Sequence, residues 1–309
     1  MVAGEETGRE QERDGRQHDA AEAFRALPRT LYVVATPLGN LRDLTLRALD
    51  VLATASVIAA EDTRVTATLL RRYGIATRAI SLHAHNEAGR VASVLAMLAA
   101  GKSVALVSDA GTPAISDPGA RLVRAVRDAG YAVIPLPGPS ALTAAVSAAG
   151  LDAESFVFLG FLPLKPKARR GLLAAFAELP AAIVVYEAPH RVRATAADLA
   201  AALGADRALV IARELTKTFE TVARITLGEA DAWFAADPNR ERGEFVLIVD
   251  VRPLAPRDAG EVLSSEVERW LVALLEELPP ARAARVVAGV AGLRRDAVYA
   301  RALALKPER

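Results

Sequence analysis

Three segments combine the residue types that hold a small ligand. The densest is Ser108-Asp109-Ala110-Gly111-Thr112-Pro113-Ala114-Ile115-Ser116-Asp117-Pro118-Gly119, which follows the apolar run Val104-Ala105-Leu106-Val107. Glycine lets backbone amides approach a ligand closely, and proline holds a loop in one shape. Exposed N–H groups can take a carboxylate or the edge of an adenine, and aspartate can take an ammonium or a ribose hydroxyl. Thr36-Pro37-Leu38-Gly39-Asn40 and Pro137-Gly138-Pro139-Ser140 also follow apolar runs. Open α/β sheets bind ligands at such strand ends. The plain alternative for these two is a strand-to-helix turn, with Asp43 or Ser140 capping the helix that follows.

A second group of segments brings charge to strand ends. These are Tyr186-Glu187-Ala188-Pro189-His190-Arg191, Arg213-Glu214-Leu215-Thr216-Lys217-Thr218-Phe219-Glu220 and Gly243-Glu244-Phe245. Charges beside an apolar core either face a ligand or pair with one another at a domain boundary. Residues 162–170 read LPLKPKARR, with Lys165, Lys167, Arg169 and Arg170 and no acid. That stretch is expected to be a flexible loop, either solvated or in contact with a phosphate backbone. His83 and His85 stand two apart with no further His or Cys nearby. No metal site is expected there; the pair fits a strand end leading into a helix capped by Asn86.

The elements that must position these residues alternate along the chain. Strands are expected at Leu31–Thr36, Ser56–Glu61, Ser103–Asp109, Ala132–Leu136, Phe156–Phe161, Ala182–Glu187, Ala208–Arg213, Ala223–Leu227 and Phe245–Val251. Helical patterns lie near 44–54, 64–73, 87–100, 119–129, 140–149, 167–178, 190–203 and 229–236. Alternation of this kind predicts an α/β fold, and the crowding of the last strands predicts an antiparallel portion. Residues 1–29 are charged and poor in apolar groups, so a disordered tail is expected there. Residues 252–264 read as a linker. After it, three short helices with a break at Gly292-Leu293 suggest a helix-turn-helix-like module, whose positions 281–306 carry six basic residues and one acid. That face is either solvated or an RNA-backbone contact.

Composition narrows the chemistry. The 309 residues suggest about two domains. The absence of cysteine removes disulfides, thiolate nucleophiles and Cys-held metal or iron–sulfur sites. A net charge of +1 means that any nucleic-acid surface must be local. No run of about 18 apolar residues exists to span a membrane, and residues 1–29 lack the apolar stretch of a secretory signal, so a cytoplasmic protein is expected. The chain has no G-x-G-x-x-G after its first strand, no phosphate-binding P-loop and no G-x-S-x-G elbow.

Taken together and in order, TPLGNLRDLT, AEDTR, SDAGTPAISDPG, PGPSAL, YEAPHR and RELTKTFE resemble the tetrapyrrole-methylase-like superfamily. Within it they resemble the ribosomal RNA small subunit methyltransferase I branch, which methylates the ribose 2′-oxygen of cytidine 1402 in 16S rRNA with S-adenosylmethionine. The resemblance covers about Leu31 to Val251, and LPPARAARVVAGVAGLRRDAVYARAL is similar to the branch's helical tail. It implies a two-lobed α/β fold with the cofactor in the cleft between lobes 30–138 and 139–251, a helical module at 265–309, a homodimer, and 16S rRNA within the small subunit as partner. By the same resemblance, Asp109, Ala110, Gly111, Thr112, Pro113, Ala114 and Ile115 line the cofactor. Pro137, Gly138 and Ser140 close its other side, and Thr36, Pro37, Gly39 and Asn40 lie below the reacting methyl.

The chemistry asks for alignment of oxygen, methyl carbon and sulfur, and for a base or hydrogen-bond acceptor at the ribose hydroxyl. The candidates are Glu61, Asp62, Glu187, Glu214, Lys217 and Glu220, and the sequence does not choose among them. Lys217 acts as a base only with a depressed pKa; otherwise it binds phosphate. Arg64, Arg191 and Arg213 either hold RNA or pair with these acids, and Lys165, Lys167, Arg169 and Arg170 are the further RNA candidates. The rivals are a methylase of small tetrapyrroles or of a protein, a binding protein for S-adenosylmethionine or RNA that turns nothing over, and an unrelated α/β hydrolase or phosphoryl-transfer enzyme. The last is disfavoured by the missing nucleophile and phosphate motifs.

Overall fold

The computed structural model describes residues 24–251, 263 and 265–305. It divides into a body ending at Val251 and a separate C-terminal unit from Arg252. The body holds two five-stranded sheets. The first contains β1 (Thr30–Val34), β2 (Val57–Ala60), β3 (Ala79–Ser81), β4 (Val104–Val107) and β5 (Ala132–Leu136), in the order β3-β2-β4-β1-β5, all parallel. Every residue of β2 and β4 is buried. That is the pattern of strands covered by helices on both faces. One face is covered by α1 (Leu46–Thr54) and α2 (Thr63–Arg72), the other by α3 (Glu87–Ala99) and α4 (Ala120–Asp128). β3 was not among the expected strands. It is a three-residue, half-buried edge, too short for a period to register.

The second sheet contains β6 (Phe156–Phe161), β7 (Ala182–Glu187), β8 (Ala208–Arg213), β9 (Thr221–Thr226) and β10 (Phe245–Val249). Its order is β6-β7-β10-β8-β9, and β10 runs antiparallel to both neighbours. α5 (Ala141–Ala148) covers one face. α6 (Pro166–Ala174), α7 (Val192–Leu203) and α8 (Ala230–Ala235) cover the other.

Most of the expected tail and linker lies outside the described residues. Residues 24–29 depart from the disordered state expected of them. The Phe24 ring meets Tyr32 edge-on at 6.1 Å, and its N–H donates to Asp50 at 3.0 Å. The C-terminal unit packs α9 (Ser265–Glu277), α10 (Pro280–Ala291) and α11 (Arg295–Ala304) around Leu271, Ala283, Ala284, Val287, Val298 and Ala302. Gly292 ends α10 with φ +64°, a conformation that costs an L side chain about 1–2 kcal/mol. Arg282, Arg285 and Arg295 are exposed on this unit, whereas Arg301 pairs with Glu268.

Candidate active site

β1, β4 and β5 are neighbours, so the loops after them emerge side by side at one sheet end. They are stitched together. Thr36 and Gly111 exchange two backbone hydrogen bonds of 2.9 Å, and the Thr36 hydroxyl donates to the Ser108 carbonyl at 3.0 Å. Thr112 donates to the Pro139 carbonyl at 2.9 Å. A Cβ on Gly138 would stand 2.9 Å from that of Ala35, so the third loop packs on the first only with glycine there. The 108–119 loop is bent by left-handed residues at Gly111, Ala114, Ser116 and Gly119. Two of these are not glycine, and each such residue stores roughly 1–3 kcal/mol of strain that the surroundings must hold. Buried Glu87 does part of that holding. Its Oε1 accepts the N–H groups of Gly119, Arg121 and Leu122 at 3.0–3.1 Å, closing the loop onto α4.

The charged ends of β7, β8 and β10 face the same way, with Phe245 in register with both Glu187 and Arg213. Between the two sets of loops lies a cleft of about 370 Å³. From the first lobe it is lined by Leu38, Glu61, Asp109–Thr112, Ile115 and Asp117. From the second come Ser140, Phe161, Tyr186, Ala212, Leu215 and Val246, among others. The lobes also touch directly. The Asn40 N–H donates to the Thr216 hydroxyl at 3.1 Å, and the stem of Lys217 lies so close over Gly39 that a Cβ there would fall 2.2 Å from Cγ.

The expected cofactor residues divide accordingly. Asp109, Ala110, Gly111, Thr112, Ile115 and Ser140 line the cleft. Thr36, Pro37, Gly39, Asn40, Pro113, Ala114, Pro137 and Gly138 do not; they shape the loops behind it. Ser140 stands at the N-cap of α5 but makes no capping bond, and its hydroxyl turns to Tyr186 instead. Thr45, not Asp43, caps α1. The Asn86 side chain accepts the His83 N–H at 2.8 Å and makes no capping bond to the helix it precedes.

The catalytic candidates are reduced more sharply. Glu187 is buried and fully engaged, accepting from Thr195 at 2.6 Å and from the Ala188 N–H at 2.8 Å, with the Arg191 guanidinium 3.2 Å away. Asp62 caps α2 and pairs with Arg64, whose guanidinium holds its carboxyl down to about 2. Lys217 Nζ donates to Glu214 and to Glu244, each at 2.8 Å. Burial pulls its ammonium down, but those two carboxylates outweigh the burial and leave the pKa raised, so Lys217 is no base. Glu220 accepts the Thr216 N–H at 2.5 Å.

Of the candidates, Glu61 remains in the cleft, and among the described residues no lysine or arginine pairs with it. Burial raises its pKa, with the charges of Asp109 and Asp62 adding to the shift and a hydrogen bond from the Asp109 N–H and the charge of His83 opposing it. Asp109 is raised by burial and by the charge of Asp62. Asp117, not singled out from sequence, is pushed up to about 6 by burial and by the charge of Glu61. Its signal was present in the loop motif, but nothing in the sequence distinguished it from Asp109. Tyr186, Phe161, Leu215 and Leu38 were likewise not singled out, because apolar lining has no pattern of its own.

The RNA candidates split as well. Arg169 is buried and donates through Nε to Asp198 at 2.7 Å. Arg213 donates to the carbonyls of Arg242 and Phe219 at 2.6 and 3.1 Å, and Arg191 to that of Leu162 at 2.7 Å. These three arginines hold the fold together and are not free to meet RNA. Residues 166–170 are helical, not a flexible loop, because Pro166 suits the first turn of α6. Lys165, Lys167 and Arg170 are exposed, as is Arg64 beside Asp62. Among the described residues, no three His, Cys, Asp or Glu side chains converge to hold a metal ion.

Comparison with known proteins agrees with the architecture. The family profile described as Tetrapyrrole (Corrin/Porphyrin) Methylases matches residues 30–231, and that described as RsmI C-terminal HTH domain matches residues 261–306. The chain is 49% identical over 270 residues to ribosomal RNA small subunit methyltransferase I of Vibrio cholerae, covering 87% of this chain and 92% of that one. It is 46% identical over 288 residues to the protein of the same name from Escherichia coli O157:H7, covering 93% and 98%. Among solved structures, the fold is shared with uroporphyrin-III C-methyl transferase from Thermus thermophilus complexed with S-adenyl homocysteine. The TM-score is 0.52 and the identity 21%, covering 72% of this chain and 97% of that one.

Proposed function

The chain belongs to the ribosomal RNA small subunit methyltransferase I family, and from that premise we propose that it methylates the ribose 2′-oxygen of cytidine 1402 in 16S rRNA. The observation that carries the chemistry is the cleft itself: three carboxylates whose pKa values burial raises on one wall, and a mostly apolar wall opposite, where the carboxylates of Glu187 and Glu244 are paired with Arg191 and Lys217. That pairing fits S-adenosylmethionine, which carries two cationic groups and an adenine. A volume of about 370 Å³ also lies within the roughly 300–1,000 Å³ of small-ligand sites. Asp109, Glu61 and Asp117 would hold the cationic end and ribose, the backbone of Ala110–Thr112 the carboxylate or adenine edge, and Leu215, Ala212 and Val246 the adenine face. When bound, the cofactor supplies an electrophilic methyl on a sulfonium.

What the chain adds is alignment of the ribose hydroxyl with that methyl, and a place for the hydroxyl's proton. In this reading one of the two cleft carboxylates Glu61 and Asp117 receives it, and the other stays with the cofactor. Asp117, at about 6, is the better matched to accept a proton near neutrality. Lys165 and Lys167 are exposed and available to phosphates; Arg170 and Arg64 are exposed too, but each is paired, with Asp198 and Asp62. In this reading the lobes are residues 30–138 and 139–251, joined through 252–264 to a module at 265–309. The active form is a homodimer working on the small ribosomal subunit in the cytoplasm. Among the described residues, no helix is long and apolar enough to cross a membrane.

The test is methyl transfer from labelled S-adenosylmethionine to purified 30S subunits that lack the modification, with the label mapped. Label on the ribose of cytidine 1402 is the expected result. Label on a base, on another nucleotide or nowhere overturns the assignment.

A further inference from the structure

Phe161 is a large aromatic side chain, 54% exposed, standing in the wall of the cleft. Its place there is made by a backbone irregularity. β6 and β7 pair Phe156 with Ala182, Val157 with Ile183 and Phe158 with Val184; the register then slips, so that Phe161 and not Gly160 stands opposite Tyr186. Side chains alternate between faces along a strand, so an unbroken β6 would place Phe161 on the face opposite Phe158. The extra residue brings it round to the Phe158 and Tyr186 side. Gly160 permits the slip with φ +63°, and a Cβ there would fall 2.9 Å from the Ser116 hydroxyl of the 108–119 loop. The ring is braced edge-on by Tyr186 at a centroid distance of 5.8 Å, and Tyr186 is braced by Phe158 at 4.8 Å. The Phe161 ring is thus held from one side and open on the other. Four and six residues on, exposed Lys165 and Lys167 open α6, with no acid between Phe161 and Arg170.

We propose that Phe161 is the stacking platform for the base of the target nucleotide, with Lys165 and Lys167 taking the adjacent phosphates. The inference rests on the RNA-methylation reading above and deepens it. A ribose presented to a cleft must leave its helical stack, and an aromatic face at the cleft mouth replaces the stacking partner that the base gives up. Stacking tolerates any flat ring but not an aliphatic one, which gives the test its edge.

The experiment compares wild type with Phe161→Ala, Phe161→Leu and Phe161→Trp on 30S subunits lacking the modification. The Ala variant is expected to raise KM for 30S by about 5- to 150-fold, the range that loss of one base–aromatic stack gives. Trp restores most of the loss and Leu does not. Calorimetric affinity for S-adenosylmethionine and the sedimentation mass stay at wild-type values. Equal rescue by Leu reduces the residue to apolar packing. A parallel loss of cofactor affinity assigns it to the cofactor, and a changed mass to an interface between copies; each overturns the platform. Wild-type label on cytidine 1402 with an unchanged KM for Phe161→Ala rejects the platform alone. No label with wild type rejects the RNA reading and the platform with it.

Discussion

The two walls of the cleft use charge in opposite ways. On the first-lobe wall, burial raises the pKa values of Glu61, Asp109 and Asp117; the charge of Asp109 adds to the shift at Glu61 and the charges of Glu61 and Asp109 to that at Asp117, and among the described residues no lysine or arginine pairs with Glu61 or Asp117. On the second-lobe side the sequence is richer in charge, yet almost all of it is spent internally. Glu187 answers Arg191 and Thr195, Lys217 bridges Glu214 and Glu244, and Arg213 serves backbone carbonyls. What the second lobe shows the cleft is mostly apolar. A dense run of charged residues is therefore the mark of a well-tied strand end here. Uncompensated carboxylates in a glycine- and proline-bent loop are the mark of the chemistry.

The comparison breaks most visibly at Asp198, which ties α7 to α6 through Arg169 and Arg170. Asp198→Ala leaves a buried guanidinium without its carboxylate and is expected to cost about 3–5 kcal/mol in denaturant melts. Arg170→Ala, on the exposed side of the same carboxylate, is expected to cost under about 1 kcal/mol. Equal effects would mean that the pair is not a structural tie of the second lobe.

Gly111→Val tests the other wall. Its φ of +78° disfavours any side chain, and the first carbon added would lie 3.2 Å from Leu38, another residue of the cleft. The strain is expected to lower stability by about 1–2 kcal/mol, leaving a cooperative fold. Affinity for S-adenosylmethionine should fall by about 100-fold or more, because the branched side chain takes cofactor space; that is about 2.7 kcal/mol of binding. Unchanged calorimetric affinity in the folded variant would remove this loop from the site.

How much of this was legible follows from the same contrast. The strands and helices that carry the loops could be read from apolar runs, since a buried parallel strand such as β4 is written as four consecutive apolar residues. The loops were legible because glycine and proline at a strand end report backbone shape. Which carboxylate stays unpaired was not legible, because pairing is decided by residues far apart in the chain. Arg169 finds Asp198 29 positions away, and Lys217 finds Glu244 27 positions away. Lys165, Lys167, Arg169 and Arg170 look alike in sequence, and helix formation over Pro166–Ala174 sends one inward and leaves the others out. The slip that aims Phe161 has no local signature beyond Gly160.

Lys217 offers a finer cut. If its work is to pack over Gly39 and tie Glu214 to Glu244, Lys217→Met keeps the stem and loses only the ties. Activity on 30S should then stay within about tenfold of wild type, with a stability loss on the order of 1 kcal/mol. Lys217→Ala should do worse than Met. Equal collapse of kcat in both variants would make the ammonium itself a participant and return charge to the second-lobe wall.

The effect that separates the walls by sign, with the smallest expected change in stability, is at Asp117. Its carboxyl titrates at about 6 in the folded chain, raised by burial and by Glu61, against an ordinary value of 3.8. A raised acid contributes its full share of stability below pH 4 and loses that share as pH rises through 6. Asp117→Asn should therefore melt level with wild type near pH 4 and slightly above it at pH 8, the gap opening between those values. The group is half-exposed, so the gap is modest. Cofactor binding should run the other way. Wild type gains affinity for the cationic ligand as Asp117 ionises, the Asn variant gains less, and at pH 8 it binds about tenfold more weakly, equivalent to about 1.4 kcal/mol. No such inversion belongs to a paired carboxylate of the second lobe: Glu214, whose pKa is lowered by Lys217 and the Glu244 N–H in spite of burial, should lose stability on conversion to Gln at neutral pH. If Asp117→Asn instead destabilises the fold at pH 8, Asp117 is tied like the acids of the second lobe, and the contrast between the walls fails.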